Sequence, residues 1–429
     1  LKPSAADREP IVISGIGLMA SVGNDRESVW QAICQGKSGV RRLTGFPGLP
    51  DDRYLGAPVD LMPSVPGRLK AISLCERTAF EALRDAGISF AGIDRTRFGC
   101  AISTHMGDLR YIEEKALHEL GRDIPADYAA GGEGVSWHDQ FIPSSACSYV
   151  GNRFGLWGPR MCHAAACASG TVDVLAAVRA IRDDQCDIVL AGAADFIHPL
   201  MAAGFRQMRV LADHEDPTQA CRPFDAARNG FVMGEGGAMM VVERLSHALA
   251  RGARIYAEIA GGKLICDAHH VTSLDEGAEG MTYAIRSAMK EAGLAPEELD
   301  YINTHGTGTT QNDVTESHAI RQALGSIGTK IPASANKSML GHLVNAAGAV
   351  ELAITALALR DGFVPPTLNL TTPDPRCELD HVALVGRPFE PRTALKLSVA
   401  FGGHLTALVL RRWNDAGSSL VARPIRAAA

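Results

Sequence analysis

The chain lacks the features that mark several large protein classes. Its ten cysteines are scattered over 429 residues, with no CxxC pair and no Cys/His metal spacing. That excludes a disulfide framework and a zinc module, and it fits a reducing compartment. No apolar run reaches the ~18 residues that span a bilayer, and residues 1–10 (LKPSAADREP) hold no apolar stretch of a secretory leader. The formal charge is −6 with no block of Lys and Arg, so no nucleic-acid arm is expected. The chain reads as soluble and cytoplasmic, with neither nucleic acid nor membrane as a partner. A weakly acidic chain can still carry a local basic patch for an acidic partner.

What is present is small and apolar. There are 44 glycines, with 46% hydrophobic and 21% charged residues, the make-up of a globular chain able to bring backbones close together. At this length two domains or one duplicated body are expected. Short apolar runs ending in small residues (11–15, 98–103, 187–192) alternate with amphipathic segments (73–86, 171–182). That alternation predicts an α/β fold with largely buried strands.

The second half repeats the first. Residues 82–88 (ALRDAGI) match 288–294 (AMKEAGL), each a helix end stopped by glycine. Each is followed by a strand-like run ending in Thr-His, at Thr104-His105 and Thr304-His305. Residues 167–174 (CASGTVDV) match 345–352 (NAAGAVEL) at an offset of 178, against 200 for the Thr-His pair. The halves, 1–254 and 255–429, are therefore similar with different insertions, of which 104–160 and 200–235 belong to the first. Packed about a pseudo-twofold, they would bring corresponding loops face to face, where ligand sites are common.

Cys167 stands at the start of an apolar helix among Ala, Ser and Gly. There the helix dipole and free N–H groups favour thiolate, and there is room for a thioester. Its own N–H is placed to stabilise an oxyanion on a carbonyl attached to the sulfur. Cys162, beside His163, has no such helix start. His305 and His342 stand in small-residue loops, and Lys337, five residues before His342, needs a carboxylate among its apolar neighbours, for which Glu351 is available. Residues 394–397 read as a strand running into Phe401-Gly402-Gly403, either a moving flap or a tight turn. One thiol and two imidazoles are the parts needed to carry an acyl group and do carbanion chemistry on it.

With these residues, the KSMxGH spacing and the run 222–236 (RPFDAARNGFVMGEG), the chain resembles the type II β-ketoacyl-acyl carrier protein synthases of the thiolase superfamily. The resemblance runs from about residue 10 to residue 412. It implies a duplicated, thiolase-like five-layered αβαβα fold and a dimer, formed with itself or with a chain-length-factor-like subunit. It implies Cys167 as nucleophile, His305 and His342 as the active-site histidines, and Lys337 with Glu351 as an ordering ion pair. Thr307 and Thr309 would bind the phosphopantetheine arm of an acyl carrier protein. Phe401 would gate the pocket and share the oxyanion hole with Cys167, while Asp313 and Glu316 would support the site. No metal or organic cofactor is implied, because loss of CO₂ from a malonyl thioester drives the condensation.

The gate departs from the family. Gly-Phe-Gly-Gly-Thr-Asn becomes Ala400-Phe401-Gly402-Gly403-His404-Leu405, with Val399 where phenylalanine is common. Leu405 cannot make the bond expected toward Asp267. Arg209, and more loosely Arg68 and Lys70, match carrier-docking cations. A thiolase would need a second catalytic cysteine, for which Cys377 lacks the Cys-Gly setting. A non-catalytic chain-length factor would have lost Cys167. Residues 228–231 and 310–313 resemble type II polyketide ketosynthases as much as the fatty-acid enzymes.

Overall fold

Ten consecutive buried residues, Ile11–Ala20, form strand β1. A strand with no exposed face must be covered on both sides. The computed structural model describes residues 9–46, 48–61, 68–105, 118–121 and 140–414, so most of the expected insertion 104–160 lies outside it. After β1 the first half continues with α1 (Lys70–Asp85), β2 (Phe98–Ser103), α2 (Ser145–Phe154), β3 (Arg160–Met161), α3 (Ser169–Arg182), β4 (Ile188–Asp195) and β5 (Gly236–Arg244). The second half gives β6 (Ala257–Cys266), α4 (Glu279–Glu291), β7 (Tyr301–Asn303), α5 (Thr310–Leu324), β8 (Pro332–Ser334), α6 (Ala347–Asp361), β9 (Thr393–Ala400) and β10 (His404–Arg412).

The strand order is β3-β2-β4-β5-β1 in the first half and β8-β7-β9-β10-β6 in the second, the same order with every label raised by five, and a further two-residue strand, Asp380–His381, pairs outside β8. Two residue pairs, Val12 with Glu258 and Ile13 with Ala257, join β1 to β6 and make the sheet continuous. Alternation along β4 divides the packing. Val189, Ala191 and Ala193 join a central core with α3 and α6, while Ile188 and Leu190 face α1 and α2. A third core packs α4 and α5 on the far side of the second half. Three cores separated by two sets of strands are the αβαβα layering.

The central helices cross closely. A Cβ on Gly170 would lie 2.7 Å from the Cβ of Ala349, and one on Gly348 would lie 3.0 Å from Thr171, so glycine is what lets α3 and α6 touch. Each helix is entered through a short 3₁₀ turn, Ala166–Ala168 and Val344–Ala346. In each turn the first residue has a positive φ without being glycine, +43° at Ala166 and +46° at Val344, costing of order 1–3 kcal/mol. The strained residues stand one position before Cys167 and Asn345, the pair matched at offset 178.

Element ends differ modestly from expectation. The run 11–15 extends to Ala20 because β1 pairs with β5 along its whole length. The run 187–192 extends to Asp195 by the same pairing, and 394–397 lengthens to Thr393–Ala400 by pairing with β10.

Candidate active site

The turn before α3 carries Cys167 into a buried position. Ser169 fixes that turn: its Oγ accepts from the Ala165 N–H at 3.0 Å and donates to the Ala166 carbonyl at 2.8 Å. The expectation of a resting thiolate is corrected here. Burial pushes the Cys167 thiol up to about 12, and the opposing pull of the Lys337 charge is smaller. Desolvation disfavours the charged form, so the resting group is a thiol whose own N–H faces the sulfur.

His305 follows β7, and its backbone N–H donates to Glu316 Oε1 at 2.6 Å while Gly306 N–H donates to Oε2 at 2.9 Å. The Lys337 ammonium donates to His305 Nδ1 at 3.2 Å and to the His305 carbonyl at 2.5 Å. An ammonium only donates, so Nδ1 of His305 is an acceptor and the ring proton sits on Nε2. His342 reaches the same tautomer by another route, because its Nδ1 accepts from the Val344 N–H at 3.2 Å. The rings meet edge to face at 5.3 Å. Both imidazoles are held well below the ordinary histidine value, first by burial and then by Lys337. They are therefore neutral Nε2–H donors near pH 7 rather than bases.

Cys167, His305, His342, Thr307, Thr309 and Phe401 all line one cavity of about 160 Å³. The structure thus brings the sulfur of the first half and both imidazoles of the second to one space. Lys337 stands on a short helix, Lys337–Leu340. Its third partner is Glu351 Oε1 at 2.6 Å. Sequence reasoning missed the other cation: Lys396, on β9, pairs with Glu351 Oε2 at 2.7 Å and is fully buried.

The loop carrying Thr307 and Thr309 is held from α5. Asp313 accepts from the Thr307, Gly308 and Phe224 N–H groups at 3.1, 3.2 and 2.7 Å, and the two threonine hydroxyls lie 2.9 Å apart. Burial raises the Glu316 carboxyl to about 7 and also raises Asp313. Arg228, within the quoted run 222–236, is buried and donates to Asp374 at 2.8 Å and to the carbonyls of Thr309 and Thr310.

At the gate, Ala400 pairs with His404 across Phe401-Gly402-Gly403, so the segment is a tight hairpin in this structure. Gly402 and Gly403 have φ of +82° and +77°, a region that favours glycine. The missing side-chain bond at Leu405 is replaced by backbone. Asp267 N–H donates to the Gly403 carbonyl at 2.9 Å, and Gly402 N–H donates to Val271 at 2.7 Å. Leu405 itself packs into the core behind α4.

The three expected docking cations differ in their surroundings. Lys70 is paired with the fully buried Glu235. Arg68 is bound to Glu76 at 2.7 Å and stacked over Tyr149. Both charges are satisfied within the fold, and only Arg209 of the three is exposed. Among the described residues no group of three His, Cys, Asp or Glu is set to hold a metal ion, and no helix is long and apolar enough to cross a membrane.

Comparison with known proteins places these residues in context. Residues 8–248 match the beta-ketoacyl synthase N-terminal domain and residues 256–371 its C-terminal domain. The chain is 38% identical to the actinorhodin polyketide putative beta-ketoacyl synthase 1 of Streptomyces coelicolor, over 95% of this chain and 90% of that one. It is 36% identical to the 3-oxoacyl-[acyl-carrier-protein] synthase 2 of Coxiella burnetii, over 95% and 100%. A solved ketosynthase, bound to the hexaketide and in complex with its type II polyketide acyl-carrier protein, superposes with a TM-score of 0.86 at 33% identity, covering 95% of this chain and 100% of that one. The ishigamide ketosynthase/chain length factor structure matches at 0.82 and 30%, with the same coverage.

Proposed function

The chain belongs to the beta-ketoacyl synthase family, and from that premise we propose that Cys167, His305 and His342 are its catalytic residues. It is a β-ketoacyl-acyl carrier protein synthase, an acyltransferase of fatty-acid or type II polyketide synthesis. Its fold is the thiolase-like ketosynthase fold. We take the halves to divide between residues 254 and 255 and the reaction to be cytoplasmic.

Chemistry runs in two stages. An acyl group passes from the phosphopantetheine sulfur of an acyl carrier protein to Cys167, whose thiol proton leaves with the carrier thiolate. The new thioester carbonyl faces the N–H groups of Cys167 and Phe401. A malonyl thioester then enters along Thr307 and Thr309 and loses CO₂. The Nε2–H groups of His305 and His342 donate to its thioester oxygen and stabilise the enolate, each such donor worth about 10²–10³-fold in rate. The enolate carbon bonds to the acyl carbon, the C–S bond to Cys167 breaks, and the released sulfur takes up a proton. Lys337 and Glu351 fix His305, Asp313 and Glu316 fix its loop, and Asp267, Ala400, Gly402 and Gly403 shape the hairpin that carries Phe401.

One observation carries this reading. Both histidines present Nδ1 as an acceptor to fixed donors, which leaves two Nε2–H donors for the cavity shared with Cys167. The test supplies acyl- and malonyl-carrier protein and looks for β-ketoacyl product and for acyl mass on the Cys167 peptide. A wild-type protein giving neither contradicts the assignment.

The solved relatives were crystallised with an acyl-carrier protein and with a chain length factor. We propose that this chain likewise takes an acyl carrier protein, docked with help from exposed Arg209, and forms a dimer across β3, the strand at one end of its sheet. The altered hairpin at Val399, His404 and Leu405 favours a specialised chain, and with it a second reading: the ketosynthase subunit of a type II polyketide or polyene system with a chain-length-factor partner. Native mass spectrometry of the chain alone and co-expressed with such a partner separates homodimer from heterodimer.

A further inference from the structure

Glu351 is shared by two buried lysines, and the mechanism above uses only one. Lys337 takes Oε1 and spends its other protons on His305. Lys396 takes Oε2 at 2.7 Å, and its remaining reach is to backbone, the carbonyl of Leu397 and, at 3.5 Å, that of Thr304. It stands in the middle of β9, opposite Asn303 of β7, in a strand where every residue is buried. A lysine at such a position is expensive. The Lys337–Glu351 pair would be neutral without it, so Lys396 is not needed to balance charge.

Its surroundings say what the extra charge does. The ionisable groups its field touches are Glu351 on α6, Lys337 on its short helix, Glu316 on α5, and His305 and His342 in their loops. Glu316 is the group that holds the His305 and Gly306 amides. Resting on the functional reading above, we propose that Lys396 is a positioning residue: it clamps the Glu351 oxygen that Lys337 leaves free and, by its charge, favours the ionised Glu316 that anchors the His305 backbone. Burial, joined by the Asp313 charge, favours the neutral Glu316 acid; the Gly306 and His305 amides oppose that, and after them the Lys396 ammonium.

The test compares wild type with Lys396→Met and Lys396→Arg. Because the neutral Lys337–Glu351 pair survives, Lys396→Met should fold and melt at or above the wild-type temperature. Its condensation kcat should fall about tenfold with KM changed much less, and the acid limb of its pH–rate profile should move to higher pH. Lys396→Arg keeps the charge and should restore the limb. The same claim is read without turnover from ¹⁵N-histidine-labelled protein, since the His305 backbone amide reports the ionisation of the carboxylate it bonds. Its titration midpoint should shift upward from wild type in Lys396→Met and return in Lys396→Arg. A folded Lys396→Met with an unmoved His305 titration overturns the proposal, whatever the activity. A titration that shifts in Lys396→Met, when the wild type condenses nothing, would uphold Lys396 and reject the functional reading instead. If Lys396→Met fails to fold, Lys396→Arg decides: a wild-type titration supports the charge role, and a displaced one removes it.

Discussion

Replacing Glu351 by glutamine removes the carboxylate that two buried ammonium groups share. Breaking a buried pair costs about 3–5 kcal/mol. A ceiling comes from the lysines themselves, because either can shed its proton instead of remaining an unpaired charge. At pH 7 that release costs about 1.4 kcal/mol for each unit below the ordinary lysine value near 10.4, or roughly 5 kcal/mol. A loss of about 4 kcal/mol at pH 7 is therefore expected, which for 429 residues is a fall in Tm of roughly 4–5 °C. The sign with pH follows from proton counting. In the variant one lysine has a folded-state value depressed below its unfolded one, so the unfolded state binds more protons and stability rises with pH across that window. The deficit should shrink from about 4 kcal/mol at pH 7 to about 2 kcal/mol at pH 9. Denaturant melts of Glu351→Gln and wild type at the two pH values measure it. A deficit under about 1 kcal/mol at pH 7, or one of equal size at pH 9, would refute a doubly paired Glu351.

Alkylation of Cys167 by iodoacetamide should speed up by about tenfold per pH unit from 7 to 10 with no plateau, because its thiol is pushed up to about 12; a plateau by pH 7 would mean a resting thiolate. His342→Ala should slow malonyl-carrier decarboxylation by about 10²–10³-fold while acylation of Cys167 continues, and an equal loss of both steps would deny the histidine its separate role. Since both imidazoles are held well below the ordinary histidine value, the wild-type decarboxylation rate should show no bell from histidine protonation between pH 6 and 8, and two histidine limbs there would argue against neutral donors. Gly403→Ala places a Cβ 2.2 Å from Asp267 Oδ1 at a φ of +77°; acyl loading should drop by about tenfold or more through the distorted hairpin, and unchanged loading would show that the turn tolerates rearrangement.

The sequence made the local part of this architecture legible. The run 98–103 is a strand end to end, and the matched segments at 167 and 345 are the two turn-and-helix units that cross at Gly170 and Gly348. Glu351 could be paired with Lys337 because a lysine among apolar residues needs a carboxylate. The same argument applies to Lys396, which lies inside an apolar strand run (393–400), and it would have found the second cation. Other features depend on partners far along the chain. Lys70 reads as a surface charge until Glu235, 165 residues away, meets it. The thiol's protonation follows from burial, which no window of neighbouring residues records. The tether of the 400–404 hairpin runs backbone to backbone, through Asp267 and Val271, where side-chain identity carries no signal.

The central claim is that the Cys167 sulfur and two Nε2–H groups serve one thioester. A crystal structure of the enzyme acylated from its carrier protein and soaked with a non-decarboxylating malonyl-thioester analogue tests it directly. The account predicts acyl density on Cys167, with its carbonyl oxygen at the Cys167 and Phe401 N–H groups, and the analogue's thioester oxygen at about 3 Å from Nε2 of both His305 and His342. Acyl density on another residue, or an analogue oxygen out of reach of both imidazoles, would contradict it.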